Sequence, residues 1–76
     1  MGATRLSAAF AEVIREQRAK RGLSQEDLAH DADLHRTYVG LIERGLRNPT
    51  IEVGHALAVA LGTTLSEMIY DITPHS

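Results

Sequence analysis

The stretch LSQEDLAHDADLHRTYVGLIERG, residues 23–45, decides the fold because it contains two short helical patterns almost back to back. The first helix is predicted from about Gln25 to Asp31. It begins at Ser24, whose hydroxyl can accept the backbone N–H of Asp27, while the Asp27 carboxylate reaches back in a capping box. The stretch therefore opens with a helix whose first turn is fixed by its own side chains.

The turn that follows, DADL, leaves very few residues for the change of direction. Asp33 is predicted in the left-handed region, which aspartate tolerates better than most residues other than glycine. The second helix is predicted to begin at Leu34 or His35 and to continue to about Arg44, before Gly45 ends it. Two helices joined by so tight a turn form a helix-turn-helix unit, predicted over about residues 24–44.

Three further helices complete the pattern, and no segment has the alternation of a strand. They are predicted at about Arg5 to Arg21, Ile51 to Ala60 and Leu65 to Tyr70. The apolar stripe of the first begins at Leu6, and the last begins with a second capping box formed by Thr64 and Glu67. The sequence therefore predicts one compact all-α domain of five helices over residues 1–76, with a short tail.

Composition narrows the function classes. The chain has 76 residues and no cysteine, which excludes disulfides, thiolate metal sites and cysteine nucleophiles and fits a reducing cytoplasm. No apolar run reaches the roughly 20 residues of a membrane span, and the N-terminus lacks the apolar segment of a secretory signal. The four histidines lack the i, i+4 spacing of metal ligands, so no metal site is expected. A cofactor and a small-molecule ligand are not expected either. The acidic residues of the second helix come without a nucleophile or a phosphate loop, so an enzyme is not expected.

Charge is segregated along the chain, although the net charge is only −2. Residues 1–48 hold all eight basic residues and seven acidic ones, whereas residues 49–76 hold three acidic residues and no basic residue. A half that is positive on balance suits a polyanion such as DNA. In the DNA-binding use of a helix-turn-helix, the second helix enters the major groove with its first residues at the base edges. Gly40 in mid-helix would permit close approach to DNA, and close helix packing would explain it equally well.

The segments LSQEDLA, YVGLIERG, RNPT and LGTTLSEMI together resemble the Cro and phage-repressor family of helix-turn-helix regulators, often called the Xre family. The similarity runs from about Leu6 to Ile69, and the combination is specific although each segment is weak by itself. The resemblance implies a lambda-repressor-like five-helix domain that regulates transcription by binding double-stranded DNA. Stand-alone members include phage Cro-like repressors, the controller proteins of restriction–modification systems and antitoxins that repress their own operon, and the length suits a controller.

Several positions match the residues with which that family contacts DNA. Gln25 resembles the glutamine that binds a phosphate at a helix N-terminus, and Arg36 and Thr37 match positions that read bases. The full set of implied DNA contacts is Gln25, His35, Arg36, Thr37, Tyr38, Gly40, Leu41, Arg44, Arg47 and Asn48. Tyr38 has an apolar body and a polar tip, so a phosphate contact and a place in the core both suit it.

The resemblance also implies a structural ion pair between Arg18 of the first helix and Glu43 of the IE motif. Two positions depart from the family pattern. The turn usually has glycine where this chain has Asp33. A residue with a side chain at this position is expected to carry a small backbone strain. The start of the recognition helix usually has serine or threonine, so His35 is expected to be a poorer cap that touches a phosphate instead.

The last helix carries more apolar residues than so small an element is expected to bury, namely Leu65, Met68, Ile69, Tyr70 and Ile72. They either complete the monomer core or form a two-fold dimer interface over about residues 64–76, and the interface is favoured. A dimer sets two recognition helices about 34 Å apart on one face of DNA. The sequence thus predicts a homodimeric regulator of a palindromic operator, with a contact to RNA polymerase left open. The rival function is a protein-interaction module, antitoxin-like or an adaptor, that keeps the fold without reading DNA.

Overall fold

The computed structural model describes residues 5–72, with side chains described for residues 5–70. This part of the chain forms five α-helices, which are α1 (Arg5–Lys20), α2 (Gln25–Asp31), α3 (Arg36–Glu43), α4 (Ile51–Ala60) and α5 (Leu65–Ile72). The predicted five-helix fold is confirmed, and each predicted helix end lies within two residues of the observed one. The expected tail after α5 and the side chain of Ile72 lie outside the described residues.

Side-chain caps explain where α2 and α4 begin. The Ser24 hydroxyl accepts the backbone N–H of Asp27 at 2.9 Å, and the Ser24 N–H donates to the Asp27 carboxylate at 3.0 Å. The predicted capping box of α2 is therefore present. At the start of α4, the Thr50 hydroxyl accepts the backbone N–H of Val53 at 3.1 Å. Each cap satisfies a backbone donor that the first turn of a helix leaves without an intrahelical acceptor.

The second predicted capping box, at α5, is only half formed. The Thr64 hydroxyl accepts the backbone N–H of Glu67 at 3.1 Å, as predicted. The Glu67 carboxylate, however, accepts from the hydroxyl of Thr63 at 3.2 Å. The side chain of Glu67 thus ties the preceding loop to α5 and does not return to the backbone of Thr64.

The turn between α2 and α3 is closed by backbone hydrogen bonds around an aspartate. Asp33 has φ of +58°, in the left-handed region where the sequence predicted it. The N–H of Asp33 donates to the carbonyl of His30 at 3.2 Å, and that of Leu34 donates to the carbonyl of Ala29 at 2.8 Å. These two hydrogen bonds form a Schellman motif, in which the left-handed residue is usually glycine. The tight turn therefore places some backbone strain on Asp33.

The core is apolar and draws on every helix. The helix α1 packs against α3 and α5, α2 packs against α3 and α4, and α4 packs against α5. The larger side chains of the core are Phe10, Val13, Ile14, Leu28, Val39, Ile42, Leu57, Leu61 and Met68. Met68 is 1% exposed, so its predicted place in the dimer interface is wrong, because a side chain this deeply buried in the monomer cannot face a partner.

The apolar stripe of α1 is shifted from its predicted start. Leu6, predicted to begin the stripe, is 63% exposed. Ser7 occupies the covered side of that first turn and is buried, followed by Phe10 and Ile14. Leu6 lines a groove on the surface together with residues of α4 and α5.

Candidate nucleic-acid interface

One face of α3 forms a wall of an open cleft of about 670 Å³, named here the recognition cleft. Its lining residues are Gln25, His35, Arg36, Thr37, Gly40 and Arg44. All six belong to the ten DNA contacts expected from the sequence. The side chains of Arg36, Thr37 and Arg44 are exposed. Two arginines and several hydrogen-bonding groups, with no acidic residue among those that line the cleft, make its surface complementary to a polyanion.

His35 begins the recognition helix with its own side chain. Nδ1 of His35 accepts the backbone N–H of Thr37 at 3.1 Å, and the residue has extended backbone geometry typical of an N-cap. His35 therefore caps the helix, and its imidazole nitrogen takes the place of a serine or threonine oxygen. Since Nδ1 accepts, the neutral ring carries its proton on Nε2, which remains a donor for a second partner.

Gly40 lies in the middle of α3, where glycine weakens a helix. Among the residues that the structure describes, a methyl group at Gly40 would meet nothing nearer than Oε1 of Gln25, at 3.8 Å. This is ordinary van der Waals distance, so packing within the monomer does not require glycine at this position. Of the two explanations open from the sequence, close approach of a ligand to the helix backbone is therefore the better supported.

The other four predicted contacts, Tyr38, Leu41, Arg47 and Asn48, do not line the recognition cleft. Tyr38 is half-buried and packs against the core, and the guanidinium of Arg47 lies 5.8 Å from the centre of its ring. This distance is within the range of a cation–π contact. Leu41 is half-buried as well. Oδ1 of Asn48 accepts a hydrogen bond from the hydroxyl of Ser7, which joins the loop after α3 to α1.

A hydrogen-bonded network of three side chains lies behind the recognition cleft. Glu43 is 2% exposed, and both of its carboxylate oxygens accept hydrogen bonds from Arg18. Oε2 of Glu43 accepts from Nε at 2.6 Å, and Oε1 accepts from Nη2 at 3.0 Å. Nε2 of Gln25 donates to the same Oε1 at 3.0 Å. The pair that the family resemblance implied is thus formed, and the contact with Gln25 was not anticipated. The hydrogen bond with Glu43 is the main cause that raises the pKa of Arg18 above its usual value.

Arginines of α1 also hold the ends of neighbouring helices. Nη1 of Arg18 donates to the carbonyl of Leu23 at 2.9 Å, and Nη1 of Arg15 donates to the carbonyl of Glu43 at the end of α3. The Leu23 carbonyl lies in the link between α1 and α2, and the Glu43 carbonyl lies in the last turn of α3, where carbonyls lack intrahelical donors. The position of α3 is therefore fixed by α1 at its C-terminal end and by His35 at its N-terminal end.

A second surface feature, named here the apolar groove, has a volume of about 410 Å³. Its lining residues are Leu6, Phe10, Asn48, Pro49, Thr50, Ile51, Gly54, Leu65 and Ile69. Ile51 is 81% exposed and Ile69 is 48% exposed. Of the predicted interface residues, Leu65 and Ile69 line the groove, and Tyr70 is exposed outside its lining.

Sequence reasoning missed Leu6 and Ile51 as members of this groove. A signal for Ile51 was present, because it directly follows the Thr50 cap and lies off the stripe of Val53, Leu57 and Ala60. A large aliphatic side chain outside the buried stripe of an amphipathic helix indicates a second contact surface.

Two further observations concern ligands and membranes. Within residues 5–72, no group of three or more histidine and carboxylate side chains is placed to hold a metal ion. Nor does any helix in that range have both the length and the apolar character needed to cross a membrane.

Comparison with known proteins places this geometry in a family. The helix-turn-helix family HTH_3 matches residues 14–68. The control protein C.SmaI of Serratia marcescens is 44% identical over 60 residues, which cover 79% of this chain and 71% of that protein. The control protein C.BamHI of Bacillus amyloliquefaciens is 39% identical over 61 residues, covering 79% of this chain and 75% of that protein.

Solved structures give the same result. The restriction-modification controller protein C.AhdI of Aeromonas hydrophila matches with a TM-score of 0.79 at 42% identity, covering 82% of this chain and 94% of that one. The controller C.Esp1396I, crystallised as a tetramer with its natural 35 base-pair operator, matches with a TM-score of 0.77 at 34% identity, covering 88% and 93%. The resemblance expected from the sequence is confirmed.

Proposed function

Since this chain belongs to the helix-turn-helix family and is a DNA-binding transcriptional regulator rather than an enzyme, we propose that it acts as a homodimer on a palindromic operator. In this proposal α3 lies in the major groove and the recognition cleft faces the DNA. The observation that carries the assignment is the gathering of Arg36, Thr37 and Gly40 on one exposed face, with no packing need for glycine. The major groove of B-DNA is about 12 Å wide and admits an α-helix, and the missing side chain at Gly40 lets the helix backbone approach the DNA closely.

Arg36 and Thr37 are assigned to the bases. An arginine can donate two parallel hydrogen bonds to the edge of a guanine, which discriminates against other bases by about 1–3 kcal/mol. Thr37 can donate to a base edge or place its methyl group against thymine. Both side chains are exposed in the first turn of α3, the part of a recognition helix that reaches base edges. Gly40 and Leu41, one turn later, are assigned to base or sugar edges.

The remaining polar residues are assigned to the DNA backbone. They are Gln25, His35, Tyr38, Arg44, Arg47 and Asn48. Phosphate contacts set the register of a protein on the duplex and carry little sequence information. Two features support these roles: Nε2 of His35 is a donor while Nδ1 caps the helix, and Arg47 lies over the ring of Tyr38.

The apolar groove is assigned to the dimer. Leu6, Ile51 and Ile69 expose large aliphatic side chains around it. Removal of such apolar surface from water is the main favourable contribution to most protein–protein association. Each copy contributes one recognition helix, α3, so two copies are needed to place such helices in two successive major-groove turns on one face of the DNA.

The biological role proposed is that of a controller in a restriction–modification system. This assignment is supported by the identities of 44% and 39% to two named control proteins, over most of the length of each. A regulator bound beside a promoter also lies within reach of RNA polymerase, so we include a polymerase contact and a cytoplasmic location in the proposal.

Selection from random-sequence duplex DNA at physiological salt tests the proposal, because specific and non-specific binding separate there. A dimer with α3 in the major groove should enrich an inverted repeat whose half-site centres are about 10 base pairs apart. Folded protein that enriches no sequence would contradict operator reading. Enrichment of a single half-site without a repeat would contradict the dimer.

A further inference from the structure

Gln25 reaches the recognition cleft from α2, but its amide is held by a side chain of α3. Nε2 of Gln25 donates to Oε1 of Glu43 at 3.0 Å. Because a carboxylate only accepts hydrogen bonds, the nitrogen of the amide must face Glu43 and the oxygen must face away. The amide of Gln25 is therefore oriented before DNA arrives, and Nε2 keeps a second N–H that Glu43 does not use.

Arg18 makes this arrangement compatible with a phosphate. Glu43 is 2% exposed, and a bare carboxylate so close to the cleft would repel a polyanion. Nε and Nη2 of Arg18 occupy both carboxylate oxygens at 2.6 and 3.0 Å, which neutralises the charge and fixes its position. Neither Arg18 nor Glu43 lines the recognition cleft, so both act from behind it.

We propose that Glu43 is a positioning residue for DNA binding, which holds the Gln25 amide ready for a phosphate while Arg18 cancels its charge. This inference rests on the proposed function, which assigns Gln25 to a phosphate. A side chain that is already ordered loses less rotamer entropy when it binds, so the bond to Glu43 raises DNA affinity without touching DNA. A purely structural pair would stabilise the fold and leave the contribution of Gln25 unchanged.

The test is a double-mutant cycle on DNA affinity. The variant R18M/E43M replaces the ion pair with apolar side chains of similar size, a change that buried pairs often tolerate. Gln25→Ala is introduced into the parent and into R18M/E43M. Affinity for the selected operator is measured for all four proteins after folding is verified by circular dichroism. Arg36→Ala, introduced into the same two backgrounds, is the matched control because Arg36 makes no contact with Glu43.

The proposal expects Gln25→Ala to weaken binding about tenfold in the parent and less than about twofold in R18M/E43M. Arg36→Ala should weaken binding equally in both backgrounds. An equal loss from Gln25→Ala in both backgrounds would overturn the positioning role. If Gln25→Ala has no effect in the parent while Arg36→Ala weakens binding, the inference fails and operator reading stands. If neither change affects binding, the proposed function itself fails.

Nuclear magnetic resonance of the free parent protein gives a second test that needs no folded variant. The side-chain amide of Gln25 should have an order parameter near that of rigid backbone, about 0.85, and slowed exchange of its protons with water. An order parameter below about 0.6, typical of a mobile group, would overturn the claim that Glu43 holds the amide.

Discussion

Oε2 of Glu43 lies 2.6 Å from Nε of Arg18, and this contact joins α1 to the C-terminal end of the recognition helix. Glu43 is buried, while the side chain of Arg18 is 22% exposed. The bidentate geometry satisfies both carboxylate oxygens in a place that water hardly reaches. The pair therefore fixes α1 against the C-terminal end of α3, and neither charge is compensated if the other is removed.

Removing one member of this pair is expected to destabilise the fold. Arg18→Met leaves the buried Glu43 carboxylate without its cation, which costs about 3–5 kcal/mol of unfolding free energy. The double variant R18M/E43M should recover most of that loss, because no uncompensated charge remains. Urea unfolding of the parent and both variants measures the difference. A double variant less stable than Arg18→Met would contradict this account.

Gly40→Ala is expected to separate stability from binding. The added methyl group meets no close neighbour in the described chain, and alanine is favoured over glycine in a helix interior by about 1 kcal/mol, so the melting temperature should rise. Operator affinity should fall, because the methyl group separates α3 from the DNA. Val59→Ala, at an exposed position of α4, is the control and should leave affinity unchanged. Unchanged operator affinity of Gly40→Ala would mean that the DNA does not approach this face of α3.

The apolar groove predicts which charged substitutions produce a folded monomer. Ile51 is exposed in the monomer, so Ile51→Glu should leave the fold intact while its carboxylate prevents association, and sedimentation should show a folded monomer. Val59→Glu, also exposed but outside the groove lining, should stay dimeric. If Ile51→Glu sediments as the parent does, the groove is not the interface.

Met68 is expected to respond differently from these surface positions, since it lies in the core. Met68→Ala should cost about 2–5 kcal/mol of unfolding free energy, as other large-to-small core changes do. Chemical unfolding, followed by circular dichroism, measures that loss. A stability equal to that of the parent would contradict the contribution of Met68 to the core.

The capping box of α2 predicts a pH dependence. Hydrogen bonds from Ser24 lower the pKa of Asp27 below its ordinary 3.8. A carboxyl whose folded pKa is depressed stabilises the fold fully above the unfolded value, and this stabilisation is lost as pH falls through the folded pKa. The difference in unfolding free energy between the parent and Asp27→Asn should be largest above about pH 4 and should close at lower pH. Glu26→Gln, outside the capping box, is the control and should not show this pH dependence. If the difference in unfolding free energy between the parent and Asp27→Asn stays constant with pH, the Asp27 carboxylate does not stabilise the fold through the capping box.

Local signals in the sequence were sufficient to place the helices. Ser24 and Thr50 start helices because their hydroxyls accept backbone N–H groups, and Asp33 tolerates the turn geometry. These effects depend on residues within a few positions of one another, so they can be read from the chain. The recognition cleft follows for the same reason, since five of its six lining residues lie between His35 and Arg44.

Features that depend on how the helices pack against one another could not be predicted from the sequence. Leu6 and Phe10 lie about 40° apart around α1, so periodicity does not distinguish them, yet Phe10 is buried and Leu6 is exposed. Met68 and Ile69 are neighbours that face the core and the surface respectively. The bond between Gln25 and Glu43 crosses 18 positions of sequence and exists only because α2 packs on α3.

If Arg36 reads a base from α3, base discrimination at the operator position that Arg36 contacts must depend on its side chain. The parent and Arg36→Ala are titrated against the selected operator and against operators with the guanine of each half-site replaced. The parent should bind the replaced operators at least about tenfold more weakly, consistent with 1–3 kcal/mol for a bidentate contact, and Arg36→Ala should lose that preference. If Arg36→Ala discriminates as strongly as the parent, Arg36 is a solvated charge and another residue reads the operator.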